Sequence, residues 1–78
     1  MSALLHAKQR ARERYGASLS GRDFRAMAHL IRDGRSTPVR RSSLSRSVHW
    51  VFYRDRDWLV VYSRQSKGIV TVLDPERG

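Results

Sequence analysis

SVHWVFYR (47–54), WLVVYS (58–63) and IVTVL (69–73) are the stretches that decide the fold. All three are rich in β-branched and aromatic residues, and polar connections separate them: Arg54-Asp55-Arg56-Asp57 and Arg64-Gln65-Ser66-Lys67-Gly68. Short runs of this composition, broken by turn residues, predict strands. Consecutive strands on short links pair antiparallel, so the last third of the chain reads as a meander. Its strands are apolar on both faces over much of their length. Helices should therefore cover one face, with something else in contact with the other.

Upstream lies RSTPVRRSSLSRS (35–47), with four arginines, five serines and no acid. Pro38 excludes a helix here, leaving a twisted edge strand or a basic loop. Before it, Ser20 is a natural N-cap with Asp23 three residues on, a carboxylate form of the capping box, and Leu19 can meet Phe24 as a hydrophobic staple. Phe24, Met27, Ala28 and Ile31 then recur at i, i+3, i+4 and i+7, with Leu30 widening the face, until Gly34 ends the helix. Phe24, Met27 and Ile31 should pack it on the sheet. A first helix is predicted over Ser2 to Tyr15, with Leu4, Ala7, Ala11 and Tyr15 as a narrow apolar stripe and Gly16 as its stop. The expected fold is α+β, a single domain over 1–78: two N-terminal helices packed on a three- to four-stranded antiparallel sheet.

Sixteen Lys and Arg stand against seven Asp and Glu, a formal net charge of +9, and only Lys8 and Lys67 are lysines. Arginine offers a planar fork of donors that matches a phosphate. So large a surplus on so short a chain points to a polyanion, or to a docking face for an acidic protein. Cysteine is absent, which excludes disulfides and thiolate metal sites. No secretory leader and no membrane-length apolar run is visible, so a soluble, cytoplasmic protein without a membrane partner is expected. His6, His29 and His49 are scattered, the acids fall mainly in turns and helix ends, and no glycine-rich phosphate loop occurs. Neither a metal site nor a cofactor is expected.

What remains is a kit of His, Arg, Tyr and hydroxyl groups, which suits metal-independent RNA cleavage. That reaction needs a base for the 2′-hydroxyl, cations for the charge growing on phosphorus, and a proton for the leaving 5′-oxygen. His6, Arg10 and Arg14 follow one another at intervals of four and stack along one helix face. His6 is the natural base, because an ordinary imidazole titrates near neutrality. Arg10, one turn away and within reach of Glu13, is the natural phosphate ligand. Spacing alone also fits a plain surface histidine near the start of a helix.

The helix–helix–strands order, the HAxxRxxER start (HAKQRARER, His6 to Arg14) and the C-terminal WxVVY…IVTVL pair resemble the BECR ribonuclease superfamily. That group takes in barnase-like, EndoU-like, colicin-type and RelE-like domains, and the resemblance is greatest to compact members among phage proteins and toxin-module C-termini. It implies a site built from a helix-1 histidine, one or more arginines and a hydroxyl on a late strand. Matched here, these are His6, Arg10 and Thr71, with Tyr62 on the neighbouring strand. Ser63 departs from the pattern where an acidic residue is more familiar, which leaves a purely binding descendant open.

Register decides whether Tyr62 and Thr71 meet. A four-residue turn from Gln65 to Gly68 sets them opposite each other on one face, and a five-residue turn sets Val61 opposite Thr71 instead. His49 alternates with Val48 and Trp50, so it shares a face with Val51 and Tyr53; it reads as a half-buried or interface residue, or as a catalytic partner for His6. His29 reads as structural. Trp50, Phe52, Tyr53 and Trp58 are candidates for stacking on unpaired bases, although the core needs at least two of them. Arg14, Arg35, Arg40, Arg41 and Arg46 are the expected phosphate contacts. The expectation is a metal-independent endoribonuclease, or ribonuclease-like RNA-binding domain, cleaving by 2′-OH attack. The alternative is a non-catalytic small basic protein, of the kind phages encode, that binds nucleic acid or inhibits a host protein. RNA is the expected partner, beside an acidic antitoxin or host protein.

Overall fold

We describe the protein from a computed structural model covering residues 3–16 and 18–74; Ser2 and the side chain of Leu4 lie outside the described parts. The chain runs α1 (Ala3–Tyr15), α2 (Gly21–Arg32), β1 (Thr37–Arg41), β2 (Arg46–Tyr53), β3 (Arg56–Ser63) and β4 (Gly68–Val72). The strands form one antiparallel sheet in the order β1-β2-β3-β4. This is the expected α+β architecture, with the Arg/Ser stretch supplying the fourth strand.

Local chemistry sets the helix ends. Ser20 accepts from the Asp23 amide while the Asp23 carboxylate accepts from the Ser20 amide, a complete capping box. Leu19 and Phe24 bracket the cap and are both buried. Gly16 (φ 64°) and Gly34 (φ 75°) close α1 and α2 in the left-handed region that glycine enters without penalty.

One core lies between helices and sheet, where Ala7, Ala11, Phe24, Met27 and Ala28 meet Val51, Trp58, Val60, Tyr62, Ile69 and Val72. The small Ala7 and Ala11 let α1 approach β4. Tyr15 stacks on Trp58, with ring centroids 4.5 Å apart, and its hydroxyl accepts from the Leu59 amide at 2.9 Å. A second cluster occupies the opposite sheet face: Val48, Leu59 and Val61, flanked by Trp50, Val70 and Leu73. Every side chain in it comes from a strand or from Leu73, just past β4. Ile31, expected to anchor α2, is only partly buried at the margin of the main core, so Phe24 and Met27 carry that packing.

Three irregularities set the register, the first a bulge in β1 between Pro38 and Arg40. Arg54 (φ 54°) and Asp55 (φ 60°) form a two-residue turn between β2 and β3, tighter than the four-residue link the sequence suggests. In β4, Ile69 pairs with Tyr62 and Thr71 with Val61, which leaves Val70 as an extra residue. Val61 therefore faces Thr71, but a bulge produces the slip, since only Arg64–Lys67 separate the paired Ser63 and Gly68.

Candidate nucleic-acid interface

The meander brings the start of β2, the end of β3 and the β3–β4 loop to one end of the sheet. There, beside the last turn of α2, a cleft of about 510 Å³ opens between helix and sheet. Ser47, His49 and Tyr62 lie in it, with Ile31 and Leu44 as apolar walls. Arg32, Arg41, Arg46, Arg64 and Lys67 complete the lining, and no carboxylate is among the lining residues. None of these five cations is paired with a described carboxylate. Their charge is therefore open to a ligand.

Strand pairing explains the convergence. Ser47 faces Tyr62 on β3 and Arg41 on β1, and His49 two residues on points the same way. Both ring nitrogens of His49 are held by hydroxyls, Nδ1 at 3.0 Å from Ser36 Oγ and Nε2 at 2.7 Å from Ser47 Oγ. The Tyr62 ring meets the imidazole edge-on, with centroids 6.3 Å apart. Burial holds the His49 pKa below the ordinary histidine value. A neutral imidazole is thus kept beside a concentration of positive charge, with one nitrogen able to accept a proton.

The expected site residues divide between two places. Tyr62 falls in this cleft, on the helix-facing side with Ile69. Thr71 lies opposite Val61, whose side chain belongs to the other face, so Tyr62 and Thr71 do not share a face; the bulge at Val70 separates them. His6 and Arg10 are on α1, which packs along β4, the strand that carries Thr71. Arg10 is held by Glu13 at 2.9 Å, and no hydrogen bond joins His6 to Arg10 or Thr71. Of the expected phosphate contacts, Arg41 and Arg46 line the cleft. Arg40 projects from the opposite face of β1, level with Val48, and Arg35 is exposed beyond α2. Arg14 stays on α1, its Nε buried without a hydrogen-bond partner among the described residues.

No known protein family, no curated protein and no solved structure matches this chain.

Arg32, Arg64 and Lys67 are the cleft cations that sequence reasoning missed. Their signal was topological: in a meander, the first residue of β2 and the loop after β3 share one end of the sheet, so Arg46, Arg64 and Lys67 had to gather there. Among the described residues, no group of three or more His, Asp or Glu is assembled. No described helix is long and apolar enough to cross a membrane.

Proposed function

We propose that this chain is an RNA-binding domain of ribonuclease type, cytoplasmic in setting, that seats a phosphodiester in the cleft around His49. One observation carries the reading: five cations without a described carboxylate partner line the cleft that holds a half-buried, hydroxyl-held imidazole. Arginine forks and Lys67 offer the donors that phosphate oxygens require. The formal charge of +9 would draw a polyanion to the surface before any specific contact forms. The resemblance of HAKQRARER and WLVVY…IVTVL to the BECR superfamily supports the same class of substrate.

The chemistry follows from the groups present. Neutral His49 takes the proton of the ribose 2′-hydroxyl in place of the Ser47 hydrogen bond. The 2′-oxygen attacks phosphorus, and the 5′-oxygen leaves with a proton from water at the open side of the cleft. The products are a 2′,3′-cyclic phosphate and a free 5′-hydroxyl. Arg41, Arg64 and Lys67 would stabilise the charge that grows on the phosphorane oxygens.

Single-stranded RNA incubated with pure protein in EDTA tests this. Cleavage with cyclic-phosphate ends, abolished in His49→Ala, is the expected result. Binding without cleavage would reduce the reading to a binding module, and absence of binding would leave an acidic protein as the partner.

A further inference from the structure

The sheet face opposite the helices carries two aromatics that the core does not use up. Trp50 and Phe52 alternate along β2 on that face, roughly 6.8 Å apart along the strand. Phe52 is 64% exposed, whereas Trp58, on the helix side, is 1% exposed. Thr37, opposite Trp50, is the first residue of β1, so Phe52 has no β1 partner beside it. Beside these rings, Thr37, Trp50 and Asp57 line a hollow of about 280 Å³. Asp57 is level with Phe52 on β3, exposed, and in no ion pair with a described residue.

We propose that this face is a stacking platform for unpaired bases of single-stranded RNA, and that Asp57 selects guanine there. This rests on the RNA-binding reading and assigns it a second, separate surface. Rings at alternate positions of a strand can each take one base of an extended single strand, whose flat faces stack irrespective of sequence. A carboxylate only accepts hydrogen bonds. Guanine alone presents two adjacent donors, N1–H and the 2-amino group, on its Watson–Crick edge, so it alone can bridge both Asp57 oxygens. Uracil and cytosine set acceptors beside their donors and meet repulsion.

Charge is arranged to connect this face to the cleft. Arg40 projects on the platform side of edge strand β1 and the next residue, Arg41, lines the cleft on the other side. A strand crossing the β1 edge would keep phosphate contacts throughout.

The test is fluorescence anisotropy with labelled ten-nucleotide RNAs: all-uridine, the same with one central guanosine, and the same with inosine, which lacks the 2-amino group. Wild type should bind the guanosine oligomer about 5- to 150-fold more tightly than the all-uridine one, with inosine in between. Asp57→Asn should bring the three together, the guanosine oligomer losing its advantage and the all-uridine one binding at least as tightly as it does to wild type. Phe52→Ala, at an exposed site where the fold is not at stake, should weaken every oligomer about 5- to 150-fold. Wild-type preference for no base, together with unchanged binding by Phe52→Ala, would overturn the platform and leave the cleft reading standing. Wild type that binds none of the RNAs would overturn both. Sedimentation showing a dimer that Phe52→Ala dissolves, with RNA binding intact, would make this face a protein interface and overturn the platform.

Discussion

Tyr53 donates its phenolic hydrogen to the Asp23 carboxylate across 2.7 Å, joining the end of β2 to the first turn of α2. The same carboxylate accepts from the Ser20 amide at 2.8 Å and the Ser20 hydroxyl at 3.0 Å, and pairs with Arg54 at 3.2 Å. One buried acid thus caps a helix and ties the β2–β3 turn to it. The Ser20 amide first, and then Tyr53, hold its pKa below the ordinary carboxylate value. A carboxylate with a lowered folded-state pKa stabilises above its unfolded pKa, about 3.9, and that contribution is lost as pH falls through the folded value. Asp23→Asn should flatten the acid side of the stability profile, read by thermal melts between pH 3 and 7. A mutant profile parallel to wild type would assign the acid sensitivity elsewhere. Tyr53→Phe should cost about 1.5–3 kcal/mol at neutral pH, the range for hydrogen bonds to charged groups.

Burial separates two residues that the helical pattern treats alike. Met27 is fully buried, so Met27→Ala should cost about 2–5 kcal/mol in urea unfolding. Ile31→Ala should cost less, because Ile31 is half-buried and borders the cleft. Equal losses would mean that the last turn of α2 packs more tightly than its exposure indicates.

Arg54 and Asp55 both occupy left-handed backbone. A side chain there is disfavoured by about 1–2 kcal/mol, less for aspartate. Arg54 is compensated by its contact with Asp23 and by its guanidinium lying 5.8 Å from the centre of the Tyr53 ring. Asp55→Gly should therefore raise the melting temperature, while Arg54→Gly gains in the backbone and loses the ion pair. A lower melting temperature for Asp55→Gly would contradict this account of the turn.

If His49 is the base, its burial sets the pH profile of RNA cleavage. The imidazole must be unprotonated to act, and its pKa lies below the ordinary histidine value. The acid limb of kcat/KM should fall below pH 6.5, with a plateau through neutrality. His49→Ala should lower the rate by about a hundred- to ten-thousand-fold. His6→Ala, assayed in parallel, should retain the rate; loss there and not at His49 would move the chemistry to the α1–β4 edge.

These contrasts show what the sequence made legible. Ser20, Asp23, Leu19 and Phe24 are neighbours in the chain, and a capping box is a local structure, so α2 could be read directly. Gly16 and Gly34 marked their helix ends because glycine is the residue such ends favour. Neither the β2–β3 turn nor the β4 bulge had a comparable mark. The Arg54-Asp55 turn uses left-handed residues without glycine, and the extra residue in β4 is Val70, an ordinary strand former. That single bulge put Tyr62 and Thr71 on different faces. His49 was placed correctly beside Val51 and Tyr53 by alternation alone. Ser47, two residues before it, shares that face by the same alternation, whereas Ser36 was not foreseeable, being thirteen residues away and reaching it from the segment leading into β1.

The central claim is that phosphates bind where Arg41, Arg64 and Lys67 surround His49. The most direct measurement is the salt dependence of binding to a single-stranded RNA, for wild type and for Arg41→Ser/Arg64→Ser. Each lost phosphate contact lowers the slope of log affinity against log salt by roughly 0.7 on a single strand. The account predicts weaker binding and a slope reduced by about 1.4 for the double variant, with Arg22→Ser/Arg25→Ser on the exposed side of α2 as the charge-matched control that shifts neither quantity as far. Equal slopes for the cleft variant and wild type would contradict it.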